Sequence, residues 1–464
     1  EQMNLFKDMV CYQEEVRDPS RMAEVLNRVI EKAFRGSAPA QINVPRDYWT
    51  QVIDIELPPI VRFERQGGGK EAIENAAKLL SKAKFPVILS GAGVVLGGAI
   101  DECKKLAEKL DAPVCNGYQH NDSFPGSHPL AVGPLGYNGS KAAMELISKA
   151  DVVLALGTRL NPFSTLPGYG IDYWPKKATI IQVDMNPDRI GLTKKVSVGI
   201  CGDAKQVAQQ ILDKLSSDAG NTGREERKNL IHKTKSAWLQ TLSGLDHEED
   251  DPGTVWNKEA RERDKDRMSP RQAWRAIQDA LPQDAIISSD IGNNCAIGNA
   301  YPTFEKPRKY LAPGLFGPCG YGFPAILGAK IGCPDTPVVG FAGDGAFGIS
   351  MNEMSSCARE EWPAITMVIF RNYQWGAEKR NSILWFDDNF VGTELDPELS
   401  YAKVANACGL KGVTCKTMEE TTKAIKQSCE DQKKGITTFI EIILNQELGE
   451  PFRRDAMKKP VKVA

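Results

Sequence analysis

Short apolar runs rich in valine and isoleucine, each closed by a glycine or a polar residue, recur along the chain and alternate with longer amphipathic stretches. Runs of this length bounded by turn residues predict buried strands at 85–90, 151–157, 179–184, 285–289, 337–341, 365–370 and 437–444. The stretches at 99–110, 270–280, 351–360 and 417–431 carry apolar residues at helical spacing and predict crossover helices. Strand alternating with helix is the pattern of a parallel sheet covered on both faces. The fold class is therefore α/β with doubly wound parallel sheets.

The same pattern divides the chain into blocks. Residues 1–60 hold one helix pattern, 18–34, opened by Asp18 as N-cap with Pro19 in the first helical position, and one strand, 40–45. One helix and one strand cannot bury a core, so this block reads as the tail of a larger domain and Glu1 as not the natural start. Residues 70–215 form a Rossmann-like domain. Its Gly91-Ala-Gly93 turn could cradle a dinucleotide, but no ribose-binding acid completes the fingerprint, and packing is the expected use of these glycines. Residues 216–268 are dense in charge (Glu225-Glu226-Arg227-Lys228, then 247–251 and 259–267) and read as a solvated connector with some helix. Residues 269–446 form the last αβ block, and 447–464 a basic tail containing Arg453 and Arg454.

Composition narrows the class. A chain of 464 residues divides into two or three domains, and a net charge of −2 gives no basic face for nucleic acid or an acidic membrane. No apolar run reaches the roughly 18 residues of a membrane span. Eleven cysteines are scattered without a Cys-x-x-Cys pair, which points to free thiols in a reducing, cytoplasmic setting.

The chemistry concentrates at the ends of two predicted strands. Gly343-Asp344-Gly345 closes the strand at 337–341, and Asn372 closes the next, at 365–370. A lone Gly-Asp-Gly is most simply a surface turn. Framed by strand, helix and strand, it becomes a ligand crevice at the carboxyl end of a βαβ unit. Magnesium takes about six oxygens, usually with only one or two carboxylates. Asp344 and Asn372 offer one oxygen each, and the carbonyl of Gln374 a third, with a diphosphate and water to complete the shell.

On these residues the chain resembles the thiamine-diphosphate enzymes of the acetohydroxyacid synthase and pyruvate decarboxylase type. Their signature is Gly-Asp-Gly, some two dozen residues, then Asn-Asn. Here Arg371 replaces the first asparagine, while Asn372 matches the second, which ligates the metal in the family. The resemblance implies thiamine diphosphate and Mg2+ as cofactors. It also implies a family domain order in which 1–60 is the end of a mostly missing pyrimidine-binding domain, 70–215 the central domain and 269–446 the diphosphate domain. The family's catalytic glutamate lies in that missing part, and no residue here is assigned to it. Because the family's cofactor sits between two chains, a homodimer or homotetramer is implied.

Further roles follow from the same resemblance. Ser288-Ser-Asp290-Ile-Gly-Asn293-Asn294 is similar to a segment whose polar residues touch the diphosphate, although Asn293 or Asn294 could equally be a helix N-cap. The loop from Pro313 through Gly317 and Cys319 to Pro324 is similar to one whose apolar residue wedges between the cofactor rings. Cys319 takes that position, with Leu315 or Phe316 able to share it. Gly343, Gly345 and Ala346 would approach the diphosphate.

Beyond Asn372, the residues Gln374, Ala377, Glu378 and Asn381 share one helix face. In the family that face meets substrate, and its polarity here implies a small polar or anionic substrate. The segments 373–381, 117–123 and 450–455 look most like the branch that converts sulfoacetaldehyde and phosphate to acetyl phosphate and sulfite. Both anions need cationic or strong donor groups. The candidate substrate contacts are His120, Trp375, Glu378, Lys379, Arg380, Asn381, Arg453 and Arg454, each cation being otherwise a solvated surface charge. Two alternatives remain: another thiamine-diphosphate decarboxylase or synthase, and a non-catalytic cofactor-binding scaffold.

Overall fold

The computed structural model describes residues 1–58, 64–245, 262, 264–314, 316–359, 361–386 and 389–448. The chain forms two units, Glu1–Gln66 with Asn186–Asp188, and Gly67–Met185 with Arg189–Ala464. In the first, strands β1 (Tyr12–Glu15) and β2 (Ala40–Asn43) pair in parallel, Tyr12 opposite Ala40. The helix Met22–Gly36 connects them and buries Val25 and Val29 against Val16. The expectation of one helix and one strand is thus corrected: β1 is a strand of mixed polarity, Tyr-Gln-Glu-Glu, that no apolar run announces. Asp18 does cap its turn, accepting from the Ser20 amide at 2.9 Å, but as the start of a short 3-10 turn before the helix.

The larger unit holds two six-stranded parallel sheets. One runs in the order β5-β4-β3-β6-β7-β8, with β3 Pro86–Ser90, β4 Val114–Asn116, β5 Ala131–Pro134, β6 Val152–Leu156, β7 Thr179–Asp184 and β8 Val198–Cys201. The other runs β10-β9-β11-β12-β14-β13, with β9 Ile286–Ser289, β10 Tyr310–Leu311, β11 Val338–Gly343, β12 Thr366–Arg371, β13 Lys411–Cys415 and β14 Thr438–Ile443. Strands β3, β6, β11 and β12 are buried nearly throughout, as their unbroken apolar runs demand. The first sheet's winding reverses between β3 and β6; the second's reverses between β9 and β11 and again at its far edge, where β13 lies outside β14. Such a reversal opens a crevice at the strands' carboxyl ends.

Two elements depart from the expected pattern. The helix expected at 351–360 begins earlier, at Asp344 itself: Asp344–Ser350 is helical, a 3-10 turn covers Met351–Glu353 and a short helix Met354–Cys357. Gly343, extended at φ −69° and ψ 159°, is its N-cap residue, so the Gly-Asp-Gly motif is a strand-to-helix junction and not a free loop. The described part of the stretch at 216–268 is also less solvated than its charge implies. Within it, the helix Arg224–Leu245 buries Trp238 and Leu242. Arg227, almost fully buried, donates to the carbonyls of Lys84, Leu110, Asp111, Gly220 and Thr222. A single guanidinium with five carbonyl acceptors meets the requirement that a buried charge be hydrogen-bonded.

The segment 117–123 straps the two sheets together. Asn121 donates to the carbonyls of Asn299 and Pro302, both at 2.9 Å, and Asp122 accepts from the Lys309 and Tyr310 amides.

Candidate functional site

A cleft of about 180 Å³ lies at the reversal between β9 and β11. At roughly 30 Å³ per water, it holds about six waters' worth of ligand, the scale of a diphosphate with its cation. From the β9 side it is lined by Ile291, Gly292, Asn293 and Asn294, and from the glycine loop by Gly317 and Cys319. Gly343, Asp344, Gly345 and Ala346 close the β11 side, and Asn372, Gln374, Trp375, Ala377 and Glu378 the β12 side. Sequence-predicted residues from four separate segments therefore meet at one place.

Local chemistry explains the shape. Asp290 is buried and accepts from the amides of Ile291 (2.8 Å), Gly320 (3.1 Å) and Gly322 (2.7 Å), which ties the end of β9 to the glycine loop. Gly292, at φ +120°, turns the chain in a region open in practice only to glycine. The two glycines of the Gly-Asp-Gly motif have different tasks. A Cβ on Gly345 would lie 2.8 Å from the Trp375 ring, so that glycine serves packing. A Cβ on Gly343 would meet nothing within 4 Å, so that glycine leaves room in the cleft.

Asp344 is 1% exposed. Its Oδ2 accepts from Arg371 Nη1 at 3.0 Å and the Tyr373 amide at 2.7 Å, and its Oδ1 from the Gly345 amide at 2.9 Å. Burial pushes its carboxyl up to about 6, while Arg371 and the two amides pull the other way. Neither Arg371 nor Tyr373 was among the expected site residues. The sequence did carry a signal for Arg371, as the departure from the family's first asparagine.

The donor set suits a hard cation. Gln374 and Asn294 are each at least 95% buried, line the cleft, and leave their side-chain oxygens Oε1 and Oδ1 without a hydrogen-bond partner. Buried acceptors left open in this way await a ligand, water or ion. Among the described residues no group of three or more His, Cys, Asp and Glu side chains could hold a metal. Any cation here would draw one carboxylate and neutral oxygens from the protein and the rest from its ligand, which is the habit of magnesium. The residues thus fit a diphosphate with Mg2+.

The expected anion contacts fare differently. Trp375 and Glu378 line the cleft, while Asn381 sits one turn on and donates to Glu378 at 3.5 Å. Lys379 is engaged by Glu394 at 2.5 Å and Gln446 at 3.2 Å. Arg380 is buried behind the cleft lining, donating to Asn293 Oδ1 and the Leu448 carbonyl, 5.0 Å over the Tyr137 ring, and burial draws its pKa down to about 9. These two cations, expected as anion contacts, thus both have protein partners. His120 lies in the 117–123 strap and does not line the cleft; burial, with Arg159 nearby, lowers its imidazole to about 4. Of the wedge candidates, Cys319 lines the cleft, Phe316 is 93% exposed, and Leu315 lies outside the described residues, as do Arg453 and Arg454.

Fold and cleft together define a doubly wound α/β protein with a diphosphate-sized site at a sheet's switch point. The family model described as thiamine pyrophosphate enzyme, central domain, matches residues 73–211, and that described as thiamine pyrophosphate enzyme, C-terminal TPP binding domain, matches 290–442. The chain belongs to the thiamine pyrophosphate enzyme family. Over its whole length it is 78% identical to a probable sulfoacetaldehyde acetyltransferase of Rhizobium meliloti (strain 1021), spanning 78% of that protein. It is 76% identical to a sulfoacetaldehyde acetyltransferase of Roseovarius nubinhibens, spanning 77%. Among solved structures, a benzoylformate decarboxylase from Polynucleobacter necessarius superimposes with a TM-score of 0.75 at 20% identity, over 97% of this chain and 78% of that one, a likeness of fold.

Proposed function

We propose that the chain converts sulfoacetaldehyde and phosphate to acetyl phosphate and sulfite, with thiamine diphosphate and Mg2+. The observation that carries this reading is the switch-point cleft, with one carboxylate, Asp344, set among open amide acceptors, in a chain so similar to the sulfoacetaldehyde acetyltransferases. Asp344, Asn372 and Gln374 would hold the cation. Asn293, Asn294 and the open backbone at Gly317, Gly343 and Ala346 would take the diphosphate oxygens, with Gly345 supporting the turn. Cys319 would brace the cofactor, and Trp375 and Glu378 would face the substrate. The chemistry supplied by bound thiamine diphosphate is a carbon nucleophile and an electron sink. The protein's part is to orient, through fixed donors and a buried carboxylate, and to exclude water from the reacting carbon.

Within the same reading the protein is a homodimer or homotetramer of the cytoplasm. All eleven cysteines are free, and among the described residues no helix is long and apolar enough to cross a membrane. The test is product analysis. Acetyl phosphate and sulfite should form in equal amounts from sulfoacetaldehyde only when phosphate, thiamine diphosphate and Mg2+ are all present. Carbon dioxide release from pyruvate in place of these products would make the chain a decarboxylase or synthase. Cofactor binding with turnover of neither would make it a scaffold.

A further inference from the structure

Arg371 occupies the last position of β12 and is 1% exposed. It is held from several sides: Nη2 donates to the Asp396 carbonyl and, at 3.0 Å, to that of Leu399, and the guanidinium lies 4.2 Å over the Tyr373 ring. Its Nε is 3.8 Å from Glu441 Oε1, and Glu441 in turn accepts from Ser400 Oγ at 2.7 Å. The remaining nitrogen, Nη1, reaches Asp344 Oδ2. A carboxylate oxygen has two lone pairs. Both of those on Oδ2 are taken, by Arg371 and the Tyr373 amide, whereas Oδ1 accepts only the Gly345 amide.

We propose that Arg371 is a positioning residue that confines Asp344 to one-oxygen coordination through Oδ1 and so selects Mg2+ over Ca2+. This rests on the reading of Asp344 as a cation ligand. Mg2+ takes six oxygens at 2.0–2.1 Å in a strict octahedron, about 0.4 Å closer than Ca2+, which accepts more ligands and often both oxygens of one carboxylate. A carboxylate whose second oxygen is occupied offers nothing for that bidentate mode. Glu441 offsets the arginine's charge, so the selection costs the site little of its attraction for a cation.

The test measures, by calorimetry, the concentration of Mg2+ or Ca2+ that half-saturates thiamine diphosphate binding. In the parent protein Mg2+ should act at lower concentration. Arg371→Asn should narrow the Mg2+/Ca2+ preference at least about tenfold, largely by tighter Ca2+, and Arg371→Lys should restore part of it. Because Arg371→Asn leaves Glu441 unpaired, R371N/E441Q serves where the single variant folds poorly, with the same expectation. Equal loss for both cations would make Arg371 merely structural, and equal preference in the parent would also overturn the proposal. Binding that needs no divalent cation would instead overturn the metal reading of Asp344.

Discussion

In the sheet that begins with β3, the gap between the carboxyl ends of β3 and β6 is closed by the chain itself. The Gly93 amide donates to the Gly157 carbonyl at 2.8 Å, and a Cβ on Gly93 would come within 2.6 Å of Gly157 Cα. A Cβ on Gly91 would be as close to Thr158. In the sheet that begins with β9, the equivalent gap between β9 and β11 is open, lined by amides and by one buried carboxylate. Both gaps lie where the winding reverses and both use glycine. In the first, glycine lets two backbone segments touch; in the second, Gly343 keeps a side chain out of the cleft. Topology marks where a site can be, and what the glycines face decides whether there is one.

The largest expected effect is on the open side. Asp344→Asn keeps the shape but loses the charge. It should raise the Mg2+ concentration that half-saturates thiamine diphosphate binding on the order of 100-fold, since even indirect partners of a ligand are worth 10–100-fold. Circular dichroism should show the fold retained. The same carboxyl sets a pH edge. Because burial holds it near 6, protons compete with the cation below that value. Apparent Mg2+ affinity should be level above pH 7 and weaken about tenfold per unit below about 6; a level profile down to pH 5 would contradict this.

The closed side should respond in stability instead. Gly157 has φ +60°, and an added Cβ would lie 2.7 Å from Gly93 Cα. Gly157→Ala should cost about 2–4 kcal/mol in denaturant unfolding, combining left-handed strain and overpacking. Gly343→Ala should change stability by no more than about 0.5 kcal/mol, as expected away from packed features, yet weaken thiamine diphosphate binding about tenfold. If the two alanines act alike, the contrast between the gaps fails.

Much of this was legible in the sequence. The long buried strands, the helix at 270–280 and the meeting of Asp344 with Asn372 follow from apolar runs and the residues that close them. The short or mixed strands β1, β4, β5, β8, β10 and β13 were not read, because their pairing partners hold them in place and their own composition does not. The partners of Lys379 and Arg380 are hidden from the sequence for a related reason. Adjacent cations on a helix look alike in sequence, while the fold gives one to Glu394 and buries the other against Tyr137 and Asn293. Arg227 shows the same limit, hidden in a charged run yet buried among carbonyls.

The smallest effect tests how far the closed sheet's domain reaches into the open site. Tyr137 follows β5, and its hydroxyl donates to Asn293 Oδ1 at 3.2 Å. That oxygen also accepts from Arg380, while Asn293 Nδ2 donates to the Glu447 carbonyl at 3.2 Å. An amide nitrogen has two hydrogens, so Asn293, fixed by three partners, keeps one N–H that in the proposed reading meets a diphosphate oxygen. Tyr137→Phe removes one of the three. A single neutral hydrogen bond contributes about 0.5–1.5 kcal/mol, and Arg380 still orients the amide. Thiamine diphosphate binding should therefore weaken only about two- to fivefold, with Mg2+ dependence and stability nearly unchanged. A loss approaching that of Asp344→Asn would mean that the site belongs to both sheets, and that the central domain does more than hold its neighbour in place.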